Sequence, residues 1–229
     1  MERHGTVGAV IAAAGSSSRM GGRDKLSEPL GGMPVILRTL AAVEAVPEVT
    51  EIVVVTRENR VEEYRSLLGQ FSKLRAVVPG GSTRQESVRN GVRALSPDCG
   101  LAAIHDGARP LVTPEVFARC IESARACGAA TAAVPVKDTI KRADAEGRVL
   151  DTPERSRLWA VQTPQIFDRE RYLQAAEEAE RRGLDCTDDC QLFEAMGWEV
   201  RLVMGDYRNL KLTTPEDFLA AGAYLEGLK

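Results

Sequence analysis

Short apolar runs recur along the chain and alternate with more polar stretches. The runs are rich in valine, isoleucine and alanine and cover residues 7–14, 51–56, 75–79, 101–106, 129–136 and 199–204. Continuous apolar runs of this length are typical of parallel strands that are buried on both faces. The pattern therefore predicts six strands of one central sheet.

Between these runs, apolar residues recur with the period of an α-helix. Three such segments cover residues 34–46, 84–95 and 113–127, and the last has Thr113 as its expected N-cap and Pro114 at the first helical position. Strands that alternate with helices predict an α/β fold with a single doubly wound, mostly parallel sheet and right-handed crossovers. Ligands of such sheets bind beyond the carboxyl ends of the strands, so the loops that follow the strands are expected to carry the chemistry.

The segment 136–167 interrupts this alternation, because it is polar and has only two short β-like runs around a turn at Glu146-Gly147. It predicts a β-hairpin arm that leaves the globule, at about residues 136–158. A hairpin with so little apolar core is marginal by itself, and a second copy of the same chain is a simple packing partner. We therefore predict one domain over residues 1–229 and a homodimer formed through the arm.

Composition and charge narrow the possible functions. The 229 residues are 44% hydrophobic and 28% charged, and 30 Lys and Arg against 33 Asp and Glu leave a net charge of −3. This balance is that of a soluble globular domain and excludes a disordered, collagenous or coiled-coil chain. No apolar run approaches the roughly 18 to 20 residues of a membrane span, and no basic block marks a nucleic-acid binder. Any bound phosphate is therefore expected on a small molecule.

The cysteines and histidines do not indicate a disulfide framework or a metal site. The five cysteines are odd in number and lack CxxC spacing, and the two histidines, His4 and His105, are far from them in sequence. Neither a signal peptide nor a membrane segment is recognised. Reduced thiols and a cytoplasmic location are expected.

A glycine-rich loop follows the first predicted strand. Residues 12–26 are mostly small, and Arg19 and Lys25 lie among them. Backbone N–H groups of glycine and serine can close on phosphate oxygens while the two cations neutralise a polyphosphate. The loop matches neither the Rossmann fingerprint nor the Walker A motif, and a surface loop with incidental charges is the alternative.

Two further loops follow predicted strands. In PGGSTRQESVRNG, two glycines lead into a helix whose first turn carries Ser82 and Thr83. The N-terminus of such a helix can present backbone groups to a base, ribose or phosphate, and the alternative is that the serine or threonine only caps the helix. Asp106 closes another strand ahead of Arg109, and its carboxylate is expected to face the ligand crevice, toward substrate hydroxyls or a metal ion. His105 alternates with Asp106 and is expected to face the other side of the sheet as a packed histidine, not as a general base.

Further polar residues are spread along the second half of the chain. Taken singly, each is typical of a solvated surface, but together they predict a polar wall that faces the glycine-rich loop. They are Thr139, Lys141, Arg155, Thr163, Asp188, Asp189 and Lys211.

The chain resembles the 2-C-methyl-D-erythritol 4-phosphate cytidylyltransferases of the non-mevalonate isoprenoid pathway. In chain order, the resemblance rests on AAAGSSSRMGGRDKL, GGSTRQESVRNG, HDGARP, VPVKDTIK, TPQIF, TDD and NLKLTTPEDF, from about residue 7 to 219. It implies a Rossmann-like nucleotidyltransferase fold and a reaction of CTP with methylerythritol 4-phosphate that gives a diphosphocytidyl product and pyrophosphate. Magnesium and a homodimer whose arm reaches into the partner's active site are also implied.

The resemblance assigns roles by motif. Arg19 and Lys25 would stabilise the charge on the pentavalent α-phosphate and the leaving pyrophosphate, and Arg155 and Lys211 would position the methylerythritol phosphate. The residues implied to line the cytidine site are Ala13, Ala14, Gly15, Gly81, Ser82 and Ser87. The residues implied to contact the sugar phosphate are Asp106, Arg109, Thr139 and Thr163, of which Thr139, like Arg155, would serve the neighbouring subunit.

The residue types suit this chemistry. The nucleophile would be a phosphate that is already anionic, so positioning and electrostatic stabilisation of an in-line displacement are the work left to the protein. Magnesium would be held largely by the triphosphate and water, with Asp106 or Asp206 as outer-shell help and no direct protein ligand.

Three other functions are weighed against this one. A ribitol- or glycerol-phosphate cytidylyltransferase would share the motifs and is the main alternative. A molybdopterin guanylyltransferase would have no role for the arm and the TPQ motif. A catalytically silent nucleotide-binding protein on the same fold would be expected to have lost cations, yet Arg19, Lys25, Arg155 and Lys211 are all present.

Overall fold

A computed structural model describes residues 5–15 and 24–227 of the chain. The strands are β1 (Thr6–Ala12), β2 (Pro29–Leu30), β3 (Met33–Pro34), β4 (Val49–Thr56), β5 (Leu74–Pro79), β6 (Cys99–Asp106), β7 (Ala129–Pro135), β8 (Arg142–Ala143), β9 (Val149–Asp151), β10 (Trp159–Asp168) and β11 (Arg201–Met204). The helices are α1 (Val35–Glu44), α2 (Val61–Leu68), α3 (Arg84–Ala94), α4 (Pro114–Cys127), α5 (Arg169–Arg182), α6 (Cys190–Ala195) and α7 (Pro215–Glu226).

Seven of these strands form one twisted sheet in the order β11-β7-β10-β6-β1-β4-β5. Neighbouring strands are parallel except at β10, which runs antiparallel to both β6 and β7. The six strands and three helices expected from the apolar pattern are all present, and the predicted doubly wound, mostly parallel sheet is confirmed.

β10 is the strand of the central sheet that the apolar pattern missed. It occupies residues 159–168, directly after the arm predicted at about residues 136–158, in a stretch for which no strand was predicted. Its middle carries the polar residues Gln162, Thr163 and Gln165, all buried. A polar run is a poor signal for a central strand, because burial of polar side chains is costly unless they form hydrogen bonds, here with distant parts of the chain.

Both faces of the sheet are covered by helices. Along β1, Val7, Ala9 and Ile11 pack on the side of α1, α2, α4 and α7, whereas Val10 packs on the side of α3, α5 and α6. This alternation follows from the two-residue period of a strand and gives the sheet a core on each face. No helix in residues 5–15 and 24–227 is long and apolar enough to cross a membrane.

The predicted arm is present as a small hairpin. β8 and β9 pair antiparallel around a turn in which Gly147 has φ of +82°, a left-handed conformation that favours glycine. The apolar side chains of Ile140, Val149 and Leu150 are 41, 59 and 60% exposed. The hairpin therefore carries apolar surface that its own subunit leaves uncovered.

The order of the strands reverses between β1 and β6. The chain passes from β1 to β4 and β5 on one side, and β6 then pairs with the other side of β1, with Ala12 opposite both Val55 and Asp106. A crevice opens where strand order reverses in such sheets. The loops after β1, β5 and β6 meet there.

A close contact at Gly91 gives a prediction about stability. An added Cβ at this position of α3 would overlap Val10 and lie 2.6 Å from Val55 Cγ2. Gly91→Ala is therefore expected to lower the free energy of unfolding by about 1 to 3 kcal/mol, although alanine normally favours a helix. In α7 an added Cβ at Gly222 would meet no atom within 4 Å. Gly222→Ala is therefore expected to raise the free energy of unfolding by about 0.5 to 1 kcal/mol. Urea unfolding of both variants checks the pair, and equal effects would contradict the packing argument.

Candidate active site

A cavity of about 380 Å³ lies where the strand order reverses. Nine residues of the predicted set converge on it from five separate stretches of chain. Those of the predicted set that line it are Ala13, Ala14, Gly15, Lys25, Gly81, Ser82, Ser87, Asp106 and Lys211. Arg19 falls within residues 16–23, which lie outside the described residues.

The start of α3 forms one wall of the cavity. The Thr83 hydroxyl accepts a hydrogen bond from the Glu86 N–H at 3.0 Å, so Thr83 is the helix cap. The Ser87 hydroxyl accepts from the Gly81 N–H at 3.0 Å and donates to the Thr83 carbonyl at 2.8 Å. Glu86 Oε2 accepts from both the N–H and the hydroxyl of Ser82 at 2.7 Å. The loop before α3 is thus held in a fixed shape by its own side chains.

Gly80 lets this loop approach the loop after β1. A Cβ at Gly80 would lie 2.7 Å from Ser87 Oγ and 2.9 Å from Ala14 Cβ. Any larger residue would push the two walls apart. The glycine is therefore required by the width of the cleft between Ala14 and Ser87, where residues predicted for the nucleotide site face one another.

Asp106 and Lys211 form an ion pair at the end of β6. Lys211 Nζ is 3.0 Å and Arg109 Nε is 3.3 Å from Asp106 Oδ2. Burial disfavours the charged carboxylate, but Lys211, Arg109 and Arg84 outweigh it and hold the pKa of Asp106 well below its usual range. Asp106 is therefore an anion throughout the physiological range of pH.

Arg84 is a cavity residue that the sequence analysis did not identify. Its Nη2 lies 2.6 Å from Asp189 Oδ2, and Asp189 also accepts from the Tyr172 hydroxyl at 2.9 Å. Although burial opposes protonation, Asp189 and Asp106 raise the pKa of Arg84. A signal was present, because a cation in the first turn of a helix opposes the helix dipole. Asp189 is predicted to be part of the polar wall. It is instead 1% exposed, and its carboxylate pairs with Arg84.

The cavity carries an excess of positive charge. Among the described residues that line it, Lys25, Arg84 and Lys211 are cations and Asp106 is the one carboxylate. A cleft with this balance attracts a polyanion and repels cationic ligands.

Thr163 and Arg109 lie directly behind Asp106 and do not line the cavity. The Thr163 hydroxyl is the acceptor for the Asp106 N–H at 3.1 Å, and Arg109 Nη1 donates to the Asn209 carbonyl at 2.7 Å. Both side chains are nearly inaccessible, at 3 and 9% exposed. Their predicted contacts with the sugar phosphate stay predictions.

Thr139 and Arg155 are apart from the cavity of their own subunit. Both are exposed beside the hairpin, and Arg155 Nη1 donates to the Lys137 carbonyl at 3.0 Å. Lys141 is also on the arm, where it donates to the Thr152 hydroxyl at 2.7 Å. Asp206, one of the two candidates for outer-shell help, instead pairs with Arg208 at 2.6 Å and does not line the cavity.

His105 is a packed histidine that faces away from the cavity, as expected. Its ring is fully buried and tilted against Phe117, with ring centroids 5.4 Å apart. Burial lowers the pKa of His105 from its usual 6.5 to about 4, an effect that outweighs Asp106. A group of this kind is neutral at pH 7 and is not poised as a general base.

The lowered pKa predicts a pH dependence of stability. Below pH 6.5 the unfolded chain binds a proton at His105 that the folded chain rejects until the pH nears 4. The free energy of unfolding should therefore fall by about 2 kcal/mol through this group between pH 7.5 and 5. Denaturant titrations of wild type and His105→Phe across this range check it. Between pH 7.5 and 5, the free energy of unfolding of His105→Phe should fall by about 2 kcal/mol less than that of wild type. An equal fall in the two proteins would contradict the assignment.

Comparison with known proteins relates the whole chain to one family. The family model for 2-C-methyl-D-erythritol 4-phosphate cytidylyltransferase matches residues 7–227. The protein of that name from Desulforamulus reducens is 46% identical over 226 residues, which are 97% of each chain. The one from Dehalococcoides mccartyi strain CBDB1 is 47% identical over 96% of each chain.

Solved structures give the same result for the fold. The 4-diphosphocytidyl-2C-methyl-D-erythritol synthase of Anaerococcus prevotii superimposes with a TM-score of 0.88 at 35% identity, covering 97% of this chain and 96% of that one. The 2-C-methyl-D-erythritol 4-phosphate cytidylyltransferase of Thermus thermophilus gives a TM-score of 0.79 at 32% identity, covering 96 and 99%. The likeness therefore extends over nearly the whole length of each protein.

Proposed function

The chain belongs to the 2-C-methyl-D-erythritol 4-phosphate cytidylyltransferase family, and we propose that its cavity joins CTP to 2-C-methyl-D-erythritol 4-phosphate. The products are 4-diphosphocytidyl-2-C-methyl-D-erythritol and pyrophosphate. The observation that carries the proposal is the convergence of Lys25, Arg84 and Lys211 on a cleft walled by the loops after β1 and β5. The cleft is the binding place of two small anions and not of a nucleic acid.

CTP binds with its base between the loop after β1 and the start of α3. Ala13, Ala14 and Gly15 form one side, and Gly81 and Ser87 form the other. The triphosphate then lies toward Lys25, and the family resemblance assigns it Arg19 as a second cation. Backbone N–H groups and cations are the donors that phosphate oxygens require.

The reaction is an in-line displacement at the α-phosphorus. An oxygen of the methylerythritol phosphate forms a bond to this phosphorus, the bond to the bridging oxygen of the β-phosphate breaks, and pyrophosphate leaves with the electron pair. The attacking oxygen is already anionic, so no proton has to be removed. Lys25 and Arg19 stabilise the charge that grows on the α-phosphate and pyrophosphate, and Lys211 fixes the incoming phosphate.

Magnesium suits this site as a partner of the phosphates. In residues 5–15 and 24–227 no three His, Cys, Asp or Glu side chains are grouped as a metal site, and the one carboxylate described in the cavity lining, Asp106, is already paired with Lys211. Mg²⁺ favours oxygen ligands and keeps several waters, so the triphosphate and water would hold it, with Asp106 in the outer shell. The bound ion would neutralise developing phosphate charge.

The active enzyme is a homodimer in which each arm completes the partner's site. Two features support this arrangement: the apolar side chains of Ile140, Val149 and Leu150 are exposed, and Thr139 and Arg155 do not line their own cavity. Apolar surface on an arm favours a second copy of the chain. Arg155 would then face the methylerythritol phosphate of the neighbouring subunit. We place the enzyme in the cytoplasm, where its five thiols stay reduced.

Pyrophosphate release tests the proposed reaction. The purified protein is assayed with CTP, UTP, GTP or ATP against methylerythritol, ribitol and glycerol phosphates, with Mg²⁺ and with excess chelator. Release is expected for CTP with methylerythritol phosphate, and chelation should abolish it. Release with CTP and another polyol phosphate would move the substrate to the alternative, and silence throughout would favour a binding protein.

A further inference from the structure

His105 is connected to the cavity without touching it. The ring is fully buried on the α4 side of the sheet, yet both its nitrogens have polar partners in the layer behind Asp106. Nδ1 lies 2.9 Å from the Thr163 hydroxyl oxygen, and Nε2 lies 3.1 Å from the Arg109 carbonyl oxygen. The imidazole therefore contacts Arg109 of the predicted site directly and is linked to Asp106 through the Thr163 hydroxyl.

The partners determine which nitrogen carries the proton. A carbonyl oxygen only accepts, so the hydrogen bond to Arg109 requires the proton on Nε2. The Thr163 oxygen accepts from the Asp106 N–H at 3.1 Å, which leaves its own hydroxyl hydrogen to donate to Nδ1. One assignment thus satisfies every donor and acceptor: a neutral imidazole with Nε2–H. An imidazolium would leave the Thr163 hydroxyl hydrogen without an acceptor in this layer.

The chain of hydrogen bonds braces both ends of one turn. The turn begins at Asp106, whose N–H is tied to His105 through Thr163, and it ends at Arg109, whose carbonyl is tied to His105 directly. Within the turn, the Arg109 N–H donates to the Asp106 carbonyl at 3.0 Å. The Asp106 carboxylate leaves this braced turn to meet Lys211 Nζ at 3.0 Å.

We infer that His105 is a positioning residue that, as a neutral Nε2–H imidazole, fixes Asp106 and Arg109 and through Asp106 the ammonium group of Lys211. The inference rests on the proposed function, because Lys211 is taken to hold the polyol phosphate. Misplacing a positioning group by about 1 Å is enough to lower a rate by about 100-fold. Such a residue acts on the polyol phosphate and leaves the binding of CTP almost unchanged, because its partners lie in β10 and in the turn after β6 and not at α3.

Three substitutions at residue 105 separate the two hydrogen bonds. His105→Asn keeps an acceptor near the position of Nδ1 and loses the donor to Arg109, whereas His105→Gln keeps a donor near the position of Nε2 and loses the acceptor for Thr163. His105→Phe loses both and keeps the ring volume against Phe117. For His105→Phe and His105→Gln we expect kcat/KM for the polyol phosphate to fall by about 10- to 100-fold, with KM for CTP changed by less than about 2-fold. His105→Asn is expected to retain most of the activity.

The kinetic outcomes decide between positioning and plain packing. Wild-type kinetics in His105→Phe would overturn the inference. So would a parallel loss of kcat and of CTP affinity that follows the loss of unfolding free energy in all three variants. The split between the two substrates, together with rescue by asparagine, is what a merely structural histidine would not produce.

A measurement on the resting protein keeps the inference separate from the proposed function. The chain has two histidines, so ¹⁵N-labelled imidazole spectra of wild type and His4→Asn assign His105 without ambiguity. We expect a neutral Nε2–H ring at pH 7, with the Nδ1 resonance shifted in Thr163→Val. An Nδ1–H tautomer, a charged ring, or no response to Thr163→Val would overturn the inference even if the protein is an active cytidylyltransferase. A silent enzyme with the expected spectrum would count against the proposed function alone.

Discussion

Replacing Lys25 with alanine is expected to lower kcat by about 100- to 1000-fold, while KM for CTP rises by less than about 3-fold. The reason is the position of Lys25 in the cavity lining, opposite the start of α3, where the triphosphate is proposed to lie. An interaction with charge that grows only in the transition state contributes to kcat and little to ground-state binding. Steady-state kinetics of pyrophosphate release, with both substrates varied, provide the measurement.

Two variants control this result. Lys25→Arg keeps the positive charge and should retain more activity than Lys25→Ala, with the remaining deficit reporting on geometry. Lys73→Ala removes a lysine just before β5, at the amino ends of the strands and away from the cavity at their carboxyl ends, where Nζ donates to the Val46 carbonyl at 2.7 Å. It should have wild-type kinetics. An unchanged kcat in Lys25→Ala together with weakened CTP binding would show that Lys25 binds the nucleotide without a catalytic role.

Mixing Arg155→Ala and Lys25→Ala subunits is expected to restore activity that neither variant has alone. If the arm of one subunit completes the site of the other, each mixed dimer has one site with both substitutions and one site with neither. Random reassortment of equal amounts makes half of the dimers mixed, so about a quarter of the wild-type activity should return. The measurement is activity after subunit exchange, with mixed dimers isolated through two different affinity tags.

The alternative geometry gives a different result in the same experiment. If each arm serves its own subunit, every site in the mixed dimer carries one substitution, and activity stays at the level of the parents. Arg148→Ala is the matched control, since Arg148 lies in the turn of the hairpin and pairs with Asp144 at 2.9 Å. In the mixture of Arg148→Ala with Lys25→Ala, the activity should not exceed that of the Arg148→Ala subunits present, because these are the subunits that keep Lys25.

Much of the fold was predictable because it follows from local patterns. Runs such as residues 51–56 are apolar on both faces, which only a strand covered by helices on both sides can bury. Thr113 and Pro114 predict the start of α4, because threonine is favoured at the N-cap and proline at the first helical position. β10 was not predictable in this way, because its buried Gln162 and Gln165 are satisfied by partners on distant loops, at the Asp206 carbonyl and at Asp188 and Asp189.

By itself, the sequence determined the doubly wound sheet, the loops that line the cavity and the family, because periodicity, glycine-rich turns and ordered motifs are properties of neighbouring residues. Only the tertiary structure decided the pairing of polar groups. The fold pairs Lys211 with Asp106 and Arg84 with Asp189. It also places the Thr163 hydroxyl between the Asp106 N–H and the His105 ring. A carboxylate can pair with any cation that the fold brings near, and sequence spacing does not encode which one arrives. Burial then makes the chosen partner matter, since an unpaired charge in the interior is costly.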